Sequence, residues 1–319
     1  MNPTMAPAGQ APVFRHIAMM YSGEAGFMSG SLEFIREGIR RDESILVVVG
    51  GAKIAALRGA LGPDAASVQF ADMAQVGENP SRIIPAWQEF VDASSAAGRG
   101  YRGIGEPIDA GRSPAELAEC HVHEALLNVA FGGSPAWELL CPYDVTVLPE
   151  AVLDEARRNH PVVVDGGVVV TEHRCRPDMT ALLGDPLPEP ERDAVLAEFV
   201  FDDATLPELR DLVHHHAQGT TSISRIDDFV LATYETAANS VRHGGGRGLL
   251  RVFAVDDGLV AEVRDSGQIT DPLVGRARPM LDQDSGRGLW IANQLVDLLQ
   301  LRVSRAGNVV RLHLRRTEV

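Results

Sequence analysis

A few side chains in the C-terminal third have the types and spacing to do chemistry together. Glu235 and Asn239 stand four apart in YETAANSVRH, Asp265 opens Asp265-Ser266-Gly267, and Gly286-Arg287-Gly288 precedes an apolar run. On a helix, residues four apart are neighbours. Glu235 and Asn239 would then set a carboxylate able to take a proton beside an amide oxygen able to ligate a hard cation such as Mg²⁺. Asp265, after a strand, could accept a hydrogen bond from an adenine amino group, and Gly267 would let the backbone approach the ring. Gly286 and Gly288, ahead of a helix, would expose backbone N–H groups at its positive end, where phosphates bind. Taken singly, these are a solvated helix face, a turn and a helix start. The information is in their order.

The elements that must hold them can be read from periodicity. Ile226, Phe229, Val230, Thr233, Ala237 and Val241 form one helical stripe, with Glu235 and Asn239 off it. Ser224 and Asp227 read as its capping box, and Gly244-Gly245-Gly246 as its stop. Leu249 to Val255 and Leu259 to Val263 read as strands joined by a hairpin turn at Asp256-Asp257-Gly258. A spacer follows, then a helix opened by the glycines with apolar positions Ile291, Leu295, Val296, Leu298 and Leu299. Leu301 to Arg305 and Val309 to Leu314 read as a closing hairpin around Ala306-Gly307-Asn308. Ahead of these lie a strand at Phe199 and a helix from Pro207.

In this order the three motifs resemble the nucleotide-binding domain of the GHKL superfamily (gyrase, Hsp90, histidine kinases, MutL). Glu235 and Asn239 match its N box, Asp265 and Gly267 its first glycine box, Gly286 and Gly288 its second. Within the superfamily the sequence resembles bacterial anti-sigma factor serine/threonine kinases. Those carry Glu first in the N box, Asn four later and often His four later still, here His243, and a second box similar to SGRGLWIANQLVDLLQLRV. The resemblance covers roughly Phe199 to Arg315. It implies ATP and Mg²⁺ as cofactors, Glu235 as catalytic base and Asn239 as the Mg²⁺ ligand. It also implies a nucleotide contacted by Asn239, His243, Asp265, Gly267, Gly286, Arg287, Gly288 and Leu289. The implied partners are a sigma factor held inactive and an anti-anti-sigma (STAS-type) protein phosphorylated on Ser or Thr. One departure stands out: the first box often reads Asp-x-Gly-x-Gly, and here Ile269 takes the place of the second glycine. Two other readings stay open. One is a sensor histidine kinase, with His123-Glu124 as a phospho-acceptor pair; the other is a non-catalytic ATP-dependent partner-binding module.

The N-terminal half alternates strands and helices. His16 to Tyr21, Ile45 to Val49, Val68 to Phe70, Tyr101 to Ile104, Leu139 to Cys141 and Val162 to Thr171 read as strands. Gly30 to Arg41, a segment through Leu57 and Leu61, and Ile83 to Ala97 read as helices. This implies a mostly parallel, covered sheet. Gly50-Gly51-Ala52-Lys53 follows a strand, but it does not match Gly-x-x-x-x-Gly-Lys-Ser/Thr, so a glycine turn is the better reading. The half resembles the MEDS sensory domain, a RecA-like module. The matching residues are His16, Tyr21, Phe34-Ile35-Arg36-Glu37-Gly38, Gly105-Glu106-Pro107, His123-Glu124-Ala125-Leu126-Leu127-Asn128 and Cys141-Pro142-Tyr143-Asp144. That resemblance implies sensing or protein contact. In Cys120-His121-Val122-His123-Glu124, three potential metal ligands share a helix face, but no second cluster has zinc-like spacing, so helix packing is the default. His214-His215-His216 fan around a helix and cannot all serve one ion.

The fold class expected is thus α/β: a RecA-like α/β sensory domain followed by a GHKL α/β sandwich of a mixed sheet with helices on one face. The divisions are 13–175, a proline-rich linker at 176–195, and 196–319. The chain has 319 residues, a net charge of −15 and 45% hydrophobic residues. It is long enough for two cores, and its charge argues against nucleic acid or an anionic membrane as partner. Three scattered cysteines fit a reduced, cytoplasmic setting. The N-terminal dozen residues lack the apolar core of a secretory signal, no apolar run spans a membrane, and a homodimer is left open.

Overall fold

The computed structural model describes residues 14–172, 179–279 and 287–317. In chain order the elements to Glu172 are β1 (Arg15–Tyr21), α1 (Gly23–Arg40), β2 (Ser44–Val49), α2 (Gly51–Leu61), β3 (Val68–Asp72), α3 (Met73–Val76), α4 (Ile83–Ala96), β4 (Tyr101–Gly105), α5 (Pro114–Ala130), β5 (Glu138–Asp144), α6 (Glu150–Asn159), β6 (Val162–Asp165) and β7 (Val168–Glu172). Then come α7 (Met179–Gly184), β8 (Val195–Asp202), α8 (Leu206–Ala217), α9 (Ile223–His243), β9 (Arg247–Val255), β10 (Gly258–Asp265), α10 (Arg287–Leu295), β11 (Leu298–Ser304) and β12 (Gly307–Arg315). Two compact units form. Among the described residues, the first draws on those within 1–75, 87–112 and 124–176, and the second on those within 76–86, 113–123 and 177–319. Among the described residues no helix is long and apolar enough to cross a membrane.

The first unit is built on a seven-stranded sheet in the order β3-β2-β4-β5-β1-β6-β7. Every ladder is parallel except β6–β7. A parallel strand covered on both faces needs a continuous apolar run, and Ile45-Leu46-Val47-Val48-Val49 is buried throughout. Ile17, Val47 and Ile104 pack with Phe27 and Ile35 of α1 in one core. The segment read as one strand from Val162 to Thr171 is two, turned at Gly166-Gly167 and paired antiparallel.

The second unit carries a five-stranded sheet in the order β11-β12-β10-β9-β8. The mixed sheet expected here is antiparallel in every ladder, because each pair runs back on itself through a hairpin or a helical return. Alternation sorts its faces. Leu250, Val252, Leu259, Ala261, Val263, Leu299, Leu301, Val310 and Leu312 meet Leu209 and Val213 of α8, Phe229 and Ala237 of α9, and Ala292 of α10. The intervening residues put Glu262, Arg251, Arg264 and Arg311 together on the opposite face.

Three local expectations need correcting. The N-cap of α9 is Ser222, with no side-chain cap, so Ser224 lies inside the first turn and no capping box forms. Leu298 and Leu299 belong to β11 rather than to the helix before it, which ends at Leu295. Ile291 is 40% exposed, not a core position of α10. Within the stretch read as a linker, Met179–Gly184 is helical.

Candidate functional site

The site is assembled where the end of α9 meets the end of β10. The backbone N–H of Gly244, the cap of α9, donates to Ser240 O, and the Gly244 carbonyl accepts from Ser266 N–H and Ser266 Oγ. The turn after β10 is thereby stitched to the helix. A Cβ on Gly267 would come within 2.8 Å of Gly244 Cα and 2.9 Å of His243 O, so only glycine allows this approach. Asp265 sits at the junction. Its Oδ2 accepts from Ser240 Oγ at 2.6 Å, and its Oδ1 accepts from Gly267 N–H at 2.8 Å and from Asn308 Nδ2 at 2.9 Å. Asn308 arrives by register, directly opposite Asp265 in the β10–β12 ladder. Three donors fix the carboxylate rigidly.

Asp265, Asn308, Asn239 and Ser240 form the polar end of a cavity of about 460 Å³. Ile269, Leu273, Val274, Leu289 and Val310 supply its apolar walls. This size and mixture are those of a small-molecule site, where a few polar groups orient a ligand held by apolar contact. Asn308 Oδ1 is buried with no hydrogen-bond partner. An amide oxygen in that state is costly unless a ligand donor reaches it. An adenine amino group has hydrogens to give, and the Asp265 carboxylate, held beside Asn308 in the cavity lining, is an acceptor for one of them. The residues present fit an adenine ring.

Asn239 lies one turn before His243 on α9, half-buried, and both line the cavity. Leu289 lines it too, from the first turn of α10. A Cβ at Gly288 would meet Asn239 Nδ2 at 2.5 Å, so the start of α10 lies against the Asn239 amide. That brings the N-terminal N–H groups of α10 close to a potential oxygen ligand, an arrangement suited to a phosphate with its cation. Glu235 is half-buried one turn further back, outside the cavity lining, and makes no hydrogen bond or ion pair among the described residues. Arg287 is exposed at the first position of α10. Gly286 lies outside the described residues. Ile269, where the family often has a second glycine, forms part of the apolar wall.

Ser240 and Asn308 are site residues that sequence reading missed. Asn308 reads as a turn residue, and only strand register sets it opposite Asp265. Other candidates fall elsewhere. Lys53 Nζ is bound to Glu106 at 2.6 and 2.7 Å and to Tyr21 Oη at 2.8 Å, so its charge is already matched. His123 is 1% exposed, which closes it to the phosphoryl-acceptor role of the histidine-kinase reading. His214 to His216 sit in the last turn of α8.

Comparison with known proteins agrees with this architecture. The family described as MEDS, the methanogen/methylotroph, DcmR sensory domain, matches residues 15–161. The family described as the histidine kinase-like ATPase domain matches residues 199–314. No curated protein matches the chain significantly. Among solved structures, the RsbU and RsbW domains of Rv1364c from Mycobacterium tuberculosis are 20% identical, covering 39% of this chain and 33% of that one, with a TM-score of 0.29. The chain thus spans a third of that structure's length. The flagellar accessory protein FlaH from Methanocaldococcus jannaschii is 10% identical over 52% of this chain and 82% of its own, with a TM-score of 0.31. The chain therefore carries a MEDS sensory domain followed by a histidine kinase-like ATPase domain of the GHKL type.

Proposed function

We propose that the protein is a cytoplasmic anti-sigma regulator. In this reading it binds ATP with Mg²⁺, sequesters a sigma factor and phosphorylates Ser or Thr of an anti-anti-sigma partner of STAS type. The observation that carries the reading is the cavity bounded by Asp265, Asn308 and apolar walls. Asp265 takes the adenine amino group, and Ile269, Leu289 and Val310 hold the ring. Asn239 Oδ1 supplies an oxygen ligand for Mg²⁺, and the first N–H groups of α10 receive phosphate oxygens. When bound, Mg²⁺ neutralises charge on the phosphates, the chief requirement of phosphoryl transfer. Glu235 takes the proton of the accepting hydroxyl. Residues 13–175 sense, 176–195 link and 196–319 bind nucleotide.

The test joins three measurements on the full chain: calorimetric titration with ATP and Mg²⁺, pull-down of candidate sigma factors, and transfer of radiolabelled phosphate to candidate anti-anti-sigma proteins. Binding, capture and transfer together bear the reading out. ATP binding and sigma capture with no transfer to any partner would leave a non-catalytic binding module. No ATP binding would remove the site assignment itself.

A further inference from the structure

Four side chains from separate parts of the first unit converge in its core. His16 lies on β1, Glu124 on α5, Cys141 on β5, and His160 directly follows α6. All are buried, and their potential ligand atoms lie within 4.8 Å of one another. Glu124 Oε2 is 3.0 Å from His16 Nε2 and 3.1 Å from His160 Nε2. Cys141 Sγ is 3.3 Å from His16 Nε2. Tetrahedral ligands about 2.0–2.3 Å from a Zn²⁺ ion are separated by about 3.3–3.7 Å. The three distances of 3.0, 3.1 and 3.3 Å lie within a few tenths of an ångström of that range, and the remaining ligand atoms, within 4.8 Å of one another, would draw in by up to about 1 Å around an ion.

The far nitrogens settle which way the rings present themselves. His160 Nδ1 lies 2.7 Å from the Ala156 carbonyl, which can only accept, so the proton is on Nδ1. His16 Nδ1 faces Asn128 Oδ1 at 3.3 Å. The Asn128 amide is oriented because its Nδ2 donates to the Asn159 carbonyl at 2.8 Å, so its oxygen is what His16 meets. Both rings therefore hold Nδ1–H outward and aim the Nε2 lone pair at the centre, the arrangement typical of ligating histidines. With both Nδ1 atoms protonated, neither ring donates to Glu124, so its two oxygens and His160 Nε2 are left without a hydrogen-bond partner although Oε2 lies 3.0 and 3.1 Å from the two Nε2 atoms. A carboxylate facing two lone pairs in a dry core lacks a cation to satisfy it.

We propose that His16, Glu124, Cys141 and His160 form a site for a divalent transition-metal cation of the Zn²⁺ class. Thiolate and imidazole ligands select such ions over Mg²⁺ or Ca²⁺. Two anionic and two neutral ligands balance the charge of a divalent ion, so the filled site is neutral in the core. Four protein ligands close the coordination shell, which makes the site structural or sensory rather than catalytic. The Cys141 thiol gives up its proton as the metal–sulfur bond forms, so binding releases one proton to solvent. This site is independent of the nucleotide reading, which concerns the second unit.

The experiment uses the full chain stripped with a chelator, then titrated with Zn²⁺, and with Co²⁺ as an absorbing probe. The expected result is one equivalent bound and a Co²⁺ spectrum with a thiolate charge-transfer band. Cys141→Ser should lose that band, and Asn128→Ala, which frees the His16 ring, should weaken binding about 10–100-fold. Circular dichroism checks that each variant is folded. If Cys141→Ser does not fold, the wild-type band and the Asn128→Ala affinity decide. Folded wild-type chain that binds no Zn²⁺ overturns the proposal. So does binding without a thiolate band and with unchanged affinity in Asn128→Ala, which would place the ion elsewhere.

Discussion

Asp265 is the residue on which the proposed nucleotide site turns. It holds Ser240, the Gly267 amide and Asn308, and in the proposed reading it is the acceptor for a ligand amino group. Asp265→Ala removes that acceptor and loosens Asn308. A lost partner of this kind costs about 1–3 kcal/mol, so ATP affinity should fall at least about 5–150-fold. Calorimetry measures it, and unchanged affinity would remove Asp265 from the site. Glu235 and Asn239 should fail differently. Asn239→Ala removes an oxygen ligand, so Mg²⁺-dependent ATP binding weakens along with transfer. Glu235→Gln keeps size and polarity but cannot take a proton, so transfer falls about 10²–10⁴-fold while ATP binding survives. Equal transfer by wild type and Glu235→Gln would dismiss the base. Asn239 and Asp265 are legible in the sequence because their neighbours along the chain set their geometry. Asn308, and the meeting of His16 with Glu124, Cys141 and His160, are not. Those depend on register and on contacts between residues more than a hundred positions apart.

At the scale of elements, the start of α10 and the polar face of the second sheet carry separate consequences. In Gly288→Ala the new Cβ would meet the end of the Asn239 side chain at 2.5 Å, and that flexible amide must move away. Replacing Gly by Ala in a helix gains up to about 1 kcal/mol of propensity. The melting temperature should therefore hold or rise while Mg²⁺-dependent ATP affinity drops. A lower melting temperature with unchanged affinity would contradict the placement of α10 against Asn239. On the other face, Glu262 is fully buried and accepts from Arg251, Arg264 and Arg311. Burial pushes its carboxyl up, but the three guanidiniums outweigh burial and hold it below the usual range. Its contribution is therefore present above the unfolded carboxyl value near 4.3 and is lost as pH falls through the lower folded value. Glu262→Ala leaves Arg311 without its carboxylate, while Glu189 still pairs Arg251 and Arg264 at 2.8 and 2.6 Å, so it should cost about 3 kcal/mol at pH 7, the low end for breaking a buried pair, read by denaturant titration. The boundary between α10 and β11 is ambiguous in the sequence for a physical reason. Leu295, Val296, Leu298 and Leu299 satisfy a helical stripe, while Leu299, Leu301 and Val303 also satisfy the two-residue period of a strand. Pairing with β12 decides between them.

At the scale of the whole molecule, sequence composition divides the chain at its prolines, but compactness divides it differently. The second unit includes 76–86 and 113–123. No local pattern marks those segments, because their membership rests on long-range packing. Glu119, in the second of them, ties that packing to the cavity proposed for the nucleotide. Within this unit, Glu119 Oε2 accepts from Arg276 Nη2 at 2.5 Å and its Oε1 from Arg302 Nη1 at 2.7 Å. Arg276 is 1% exposed, and among the described residues Glu119 is its only counter-charge. Arg276 also lies in the segment whose neighbours Leu273, Val274, Gly275 and Ala277 line the cavity. Glu119→Ala in the full chain leaves two buried guanidiniums unpaired, which costs about 3–5 kcal/mol. Solvating them requires the 271–279 segment to leave its place. Two effects should then appear together: a lower melting temperature for the transition that ATP raises, since ligand binding marks the unit that holds the site, and a weaker ATP affinity. Glu119→Gln, which keeps one acceptor but no charge, should fall between. The fragment 196–319 behaves differently, because without Glu119 its arginines are open to water and need no partner. It should lose less stability than the point variant while still binding ATP more weakly than the full chain. Glu119→Ala with an unchanged melt and unchanged ATP affinity would show that the pair neither stabilises the second unit nor positions the cavity wall.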